Sequence, residues 1–152
     1  MSNNVYAIPI KKLYHEKDDP KMNSFISSLG IDLNTRCDCK YPTINEIKKA
    51  IIDAGLFLEI EQDNNFESQD GWCGGIKELE GINTTISVDS VMNFDEPIKE
   101  LISFPYGKWE TIIKLLFELV ILTGPILFYC DSGQMTMINQ TKNLREVLKE
   151  LE

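Results

Sequence analysis

Residues 106–123 constrain the fold more than any other stretch of the chain. They hold Trp109, Ile112, Ile113, Leu116, Phe117, Leu119 and Val120, so a helix here is apolar on most of its faces. Glu110, Lys114 and Glu118, spaced by four, form its one polar stripe. A helix with a single polar stripe has to be buried on its other sides. The spacing therefore predicts the centre of a core, and Gly124-Pro125 stops the helix.

The elements expected around it follow from local pattern. Residues 5–10 read as a short strand, with Pro9 suited to a sheet edge. Asp19-Pro20 opens a helix that Gly30 closes, with Met22, Phe25, Ile26 and Leu29 on one face. Thr43 and Glu46 form a capping box before a helix whose buried stripe is Ile44, Ile47, Ile51 and Ala54, ended by Gly55. Leu56, Leu58 and Ile60 alternate with Phe57, Glu59 and Glu61, the pattern of a half-buried strand. The polar, glycine-containing stretch 63–81 reads as a long loop. Residues 82–88, rich in β-branched side chains, then read as a strand pairing with the previous one. Asp95-Glu96-Pro97 opens a short helix through about residue 103. Residues 126–130 and 134–138 flank Asp131-Ser132-Gly133 as a hairpin. A last helix at 142–151 shows Leu144, Val147, Leu148 and Leu151 on one side.

The order β-α-α-β-β-α-α-β-β-α predicts an α+β fold. Its expected form is an antiparallel sheet of about five strands, including two hairpins, with helices packed on it. A length of 152 residues fits one domain, 1–152, large enough to fold without disulfides or metal.

Charge narrows the function classes. The chain carries 24 acidic against 15 basic residues, net −9. Residues 51–110 alone carry 13 acidic against 3 basic, net −10, while 1–50 are net +2 and 111–152 net −1. This balance argues against nucleic acid and against an anionic membrane as partner. The most apolar stretch, 115–130, is interrupted by Glu118 and by Thr123-Gly124-Pro125, short of a spanning helix. The first residues lack a basic region followed by an apolar core, so a cytoplasmic protein is expected, its four cysteines read as reduced thiols.

The candidate chemistry is sparse. Cys37, Cys39, Cys73 and Cys130 lack the paired spacing of a zinc site, and Cys130 reads as a small buried hydrophobe. Neither metal nor cofactor is expected. Gly71-Trp72-Cys73-Gly74-Gly75 is the most unusual stretch, and reads as a glycine-rich turn or as the setting of a reactive thiol. With Gln69 it resembles, over about five residues and with different spacing, the Gln-Gly-x-Cys-Gly stretch of papain-like cysteine proteases. Those enzymes need a histidine downstream of the nucleophile, and the one histidine, His15, lies upstream. Ser132 lacks a nucleophile elbow and reads as a turn residue.

Glu59 and Glu61 would share one strand face, and Asp63, Glu67 and Asp70 follow closely. Phe66 and Trp72 lie among them, and aromatics amid one sign of charge suit a protein interface. The expected partner-binding set is thus Glu59, Glu61, Asp63, Phe66, Glu67, Asp70 and Trp72. The chain is similar to bacterial immunity proteins in size, charge and α+β character. That similarity implies an acidic inhibitor that neutralises a basic protein partner such as a toxin nuclease, as monomer or homodimer. The alternatives are a small hydrolase using Cys73 or a carboxylate, and a scaffold subunit that dimerises through the C-terminal hairpin and helix.

Overall fold

The computed structural model describes residues 4–15, 19–28, 39–63, 71–77, 83–89, 94–98 and 101–151. Among them run β1 (Val5–Pro9), α1 (Ile10–His15), α2 (Pro20–Ser28), α3 (Ile44–Asp53), β2 (Phe57–Asp63), β3 (Gly71–Lys77), β4 (Asn83–Asp89), β5 (Ile102–Tyr106), α4 (Trp109–Thr123), β6 (Ile126–Cys130), β7 (Met135–Ile138) and α5 (Leu144–Glu150). The strands form one sheet in the order β2-β3-β4-β5-β1-β6-β7, every neighbouring pair antiparallel. The fold is α+β, with seven strands among the described residues rather than about five.

The two additional strands have separate causes. β3 falls where a loop was expected, because its glycines hide its alternation. Trp72, Gly74 and Ile76 face the core, and Gly74 is small because other side chains lie across it. A Cβ there would sit 2.7 Å from Leu58 Cδ1 and 3.2 Å from the Trp72 ring. β4 accordingly pairs with β3 and β5, not directly with β2.

β5 falls where the helix opened at Asp95 was expected to continue. Residues 94–98 instead hold the start of α3. The Asn45 amide donates to Phe94 O at 3.1 Å, the Ile98 amide donates to Pro42 O at 2.8 Å, and Pro97 bridges Thr43. Ile102 and Phe104 then alternate inward as a strand, so α4 starts only at Trp109, after the extended Lys108.

The expected edge position of Pro9 is corrected, since β1 lies between β5 and β6. Pro9 is tolerated because β5 pairs with β1 only as far as Ala7–Ile102, leaving Pro9 opposite Ile126 of β6 alone. The expectation of four reduced thiols is corrected too: Cys39 is disulfide-bonded, whereas Cys73 and Cys130 are free.

The core forms where α4 demands it. Ile112, Ile113, Leu115, Leu116, Leu119 and Val120 are buried against α3, α5, β6 and β7. Each such side chain contributes roughly 1.5–3 kcal/mol of hydrophobic stabilisation. Trp109 meets Phe128 edge-on, 5.6 Å between ring centroids. The polar stripe stays outside, where Lys114 pairs with Glu110 at 3.5 Å. The capping box of α3 is formed as read: the Glu46 amide donates to Thr43 Oγ1 at 3.1 Å, and the Thr43 amide donates to Glu46 Oε1 at 3.0 Å. Its stripe is buried at Ile44, Ile47, Ala50 and Ile51.

Candidate functional site: an acidic sheet edge

β2 to β5 are consecutive in the chain and adjacent in the sheet, a meander in which each strand pairs with the next. The sequence from 57 to 106 that runs through them carries 11 acidic against 2 basic residues, net −9. The rest of the chain is balanced, 13 acidic against 13 basic. The net negative charge therefore belongs to the segment of sequence that threads β2 to β5, and β2 is an edge strand of the sheet.

A bulge divides the two carboxylates of this edge. Leu58 lies opposite Ile76 and Ile60 opposite Gly75, so Glu59 is the extra residue between them. The expectation that Glu59 and Glu61 act together on one face is corrected for that reason. Glu59 pairs with Lys77 of β3 at 3.8 Å. Glu61 pairs with Lys48 of α3 at 2.5 Å and accepts the Trp72 Nε1 proton at 3.0 Å. The ammonium of Lys48 in hydrogen-bond contact, only partly offset by desolvation, holds the Glu61 carboxyl below the usual carboxylate value.

Trp72, expected among the partner-binding residues, is placed inside: its indole is 0% exposed. It packs edge-on against Phe94, 6.5 Å between centroids, and Lys48 Nζ sits 4.8 Å from the centre of that same ring. Glu61, Trp72, Phe94 and Lys48 thus close a ring of contacts that ties β2 and β3 to α3 and to the 94–98 segment. The sequence signal for this clamp is faint, because Lys48 and Phe94 lie far from Trp72 along the chain.

Asp63 ends β2, its backbone opposite Trp72. Phe66, Glu67 and Asp70 lie outside the described residues. Among the members of the expected set whose side chains are described, Glu59, 43% exposed, most clearly faces solvent.

Other candidates fare differently. Cys73 lies in the middle of β3, an interior strand, with Gln62 and Ser87 as register partners. The amides around it serve the ladders to β2 and β4, so they are not collected around an oxyanion. Cys130 is buried at the end of β6, with Sγ 3.2 Å from Ser132 Oγ. Ser132 lies in the β6–β7 turn, closed by the Gly133 amide donating to Cys130 O at 2.8 Å. The hairpin and helix offered as a dimer surface spend Ile126, Phe128, Ile138, Val147 and Leu151 on the internal core. Among the described residues, no group of three or more His, Cys, Asp or Glu could hold a metal ion, and no helix is long and apolar enough to cross a membrane.

No family model, curated protein or solved structure matches this chain.

Proposed function

We propose that the chain is a non-catalytic binding protein of the immunity type, which meets a basic protein such as a toxin nuclease with its acidic meander. The observation that supports this reading is the charge partition: the stretch of sequence 57–106, which threads β2 to β5, carries the whole net −9, and β2 is an edge strand. A field of one sign over one end of a molecule steers a complementary partner and speeds its encounter. Glu61 serves the internal clamp in this reading. The contact falls to Glu59, Asp63, Phe66, Glu67 and Asp70. The cytoplasm is the compartment we propose for this role. The free thiols Cys73 and Cys130 suit it, and the Cys39 disulfide argues against it.

The test compares the immobilised chain with its E59Q/E67Q/D70N variant, which spares Glu61. Extract of the native host is passed over both, and retained proteins are identified by mass spectrometry. The expected result is a strongly basic protein retained by the natural chain and lost with the variant. Identical retention on both surfaces would remove the physical basis of the reading.

A further inference from the structure

We infer that the groove between α5 and the first turn of α4 binds a small amphiphilic carboxylate, its apolar chain on Leu144 and Leu148 and its head between Arg145 and Lys149. The groove encloses about 440 Å³ and is lined by Glu110, Leu144, Arg145, Leu148 and Lys149. That volume lies within the usual range of small-molecule sites. Leu144 and Leu148 are half-buried: one side packs on the core and the rest of their surface opens to the groove.

The charge of the rim sets the ligand class. Lys40, Lys48, Lys49, Lys77, Lys114 and Lys142 each have a carboxylate within 4 Å. Among the described residues, no carboxylate lies within 4 Å of Arg145 or Lys149. They stand four apart on α5, where two like charges repel and disfavour the helix. Glu110, on the facing wall, pairs with Lys114 at 3.5 Å. The groove thus carries two cations, paired with no carboxylate among the described residues, above an apolar floor. A carboxylate between them relieves the repulsion and accepts charge-assisted hydrogen bonds, bidentate from the guanidinium. An uncharged apolar molecule gains only the floor, and a short carboxylate only the rim.

The groove lies on the β7 side of the sheet, with α5 packed on β7 and α4. The acidic edge is at β2, six strand spacings away, about 29 Å. The inference therefore stands apart from the proposed partner surface, and neither test decides the other.

The probe is octanoate, titrated against methyl-labelled protein and followed by NMR, with octanol and acetate as controls. Octanoate is expected to bind saturably, moving the methyl signals of Leu144 and Leu148. R145Q/K149Q, at two exposed positions, is expected to weaken octanoate about tenfold or more and to leave octanol unchanged. The conservative swap R145K/K149R is expected to keep octanoate binding within about threefold, and acetate to move no methyl signal. Unchanged octanoate affinity in R145Q/K149Q would overturn the inference. So would octanol binding the natural chain as tightly as octanoate, or octanoate shifts that avoid the two leucines.

Discussion

Removing the indole of Trp72 is expected to cost about 3–5 kcal/mol of folding stability, because the side chain is wholly buried. Urea denaturation of W72A measures it. A partner-facing tryptophan would have cost almost nothing, so the same number separates the two roles. Glu61→Ala should cost about 1–3 kcal/mol by leaving the indole N–H without an acceptor and Lys48 without its pair. Glu61→Gln keeps an acceptor for the indole but gives up the charge, and its signature is in pH. The folded Glu61 carboxyl lies below its ordinary 4.5, so its stabilisation is fully present above that value. It is lost as pH falls through the lower, folded value. E61Q should therefore show a shallower loss of stability below about pH 4.5, read from urea midpoints across the acid range. A second site tests the opposite sign. Thr84 is fully buried and, among the described residues, its hydroxyl has no hydrogen-bond partner. It lies beneath Gly107, whose φ of +151° and missing Cβ leave it room; a Cβ there would sit 2.6 Å from Thr84 Oγ1. Thr84→Val should raise stability by about 1 kcal/mol. Gly107→Ala should destabilise, since both the clash and the backbone conformation oppose it.

Among the elements, α3 and α4 were legible and β3 and β5 were not, and the difference is physical. The capping box of α3 is a local device, complete within Thr43 to Glu46, so sequence spacing contains all of it. Thr43→Ala should cost about 1 kcal/mol by freeing the Glu46 amide, again in urea midpoint. The apolar face of α4 is equally local, as period 3.6 fixes which residues turn inward. β3 depends instead on what crosses it. Gly74 is a core position filled by Leu58 and by the Trp72 ring, and composition alone presents it as a turn residue. β5 depends on an adjacent segment giving up helix to fasten α3 through Phe94 and Pro97. Both strands are set by contacts distant in sequence, which pattern does not carry. The candidate edge shows the same division. Glu59 and Glu61 were visible as two acidic residues on a strand, but the bulge that sends one to Lys77 and the other to Lys48 was not.

At the scale of the molecule, the strands of the acidic segment, β2 to β5, stay together because they form a meander of sequential neighbours. Had β2 to β5 been dealt out across the sheet, the same residues would have surrounded the protein evenly. Concentrating 11 acidic residues against 2 basic ones in the one segment 57–106 has two consequences that salt separates. Self-repulsion within the meander opposes the compact state, so screening it should strengthen folding. Attraction to a basic partner acts over longer distance, so screening it should slow association. Raising ionic strength from about 0.01 M to about 1 M shortens the screening length from about 30 Å to about 3 Å. Across that range, the urea midpoint of the natural chain should rise while the association rate with a captured basic partner falls about tenfold or more. E59Q/E67Q/D70N should flatten both dependences together, because one field causes both. Surface pH and salt effects confined to isolated ion pairs such as Lys49–Asp53 would instead make salt destabilising, by screening attractions. A midpoint that falls with salt would therefore show that local pairing outweighs the collective field. A partner drawn to the β2 edge would then have to be held by contacts other than long-range charge.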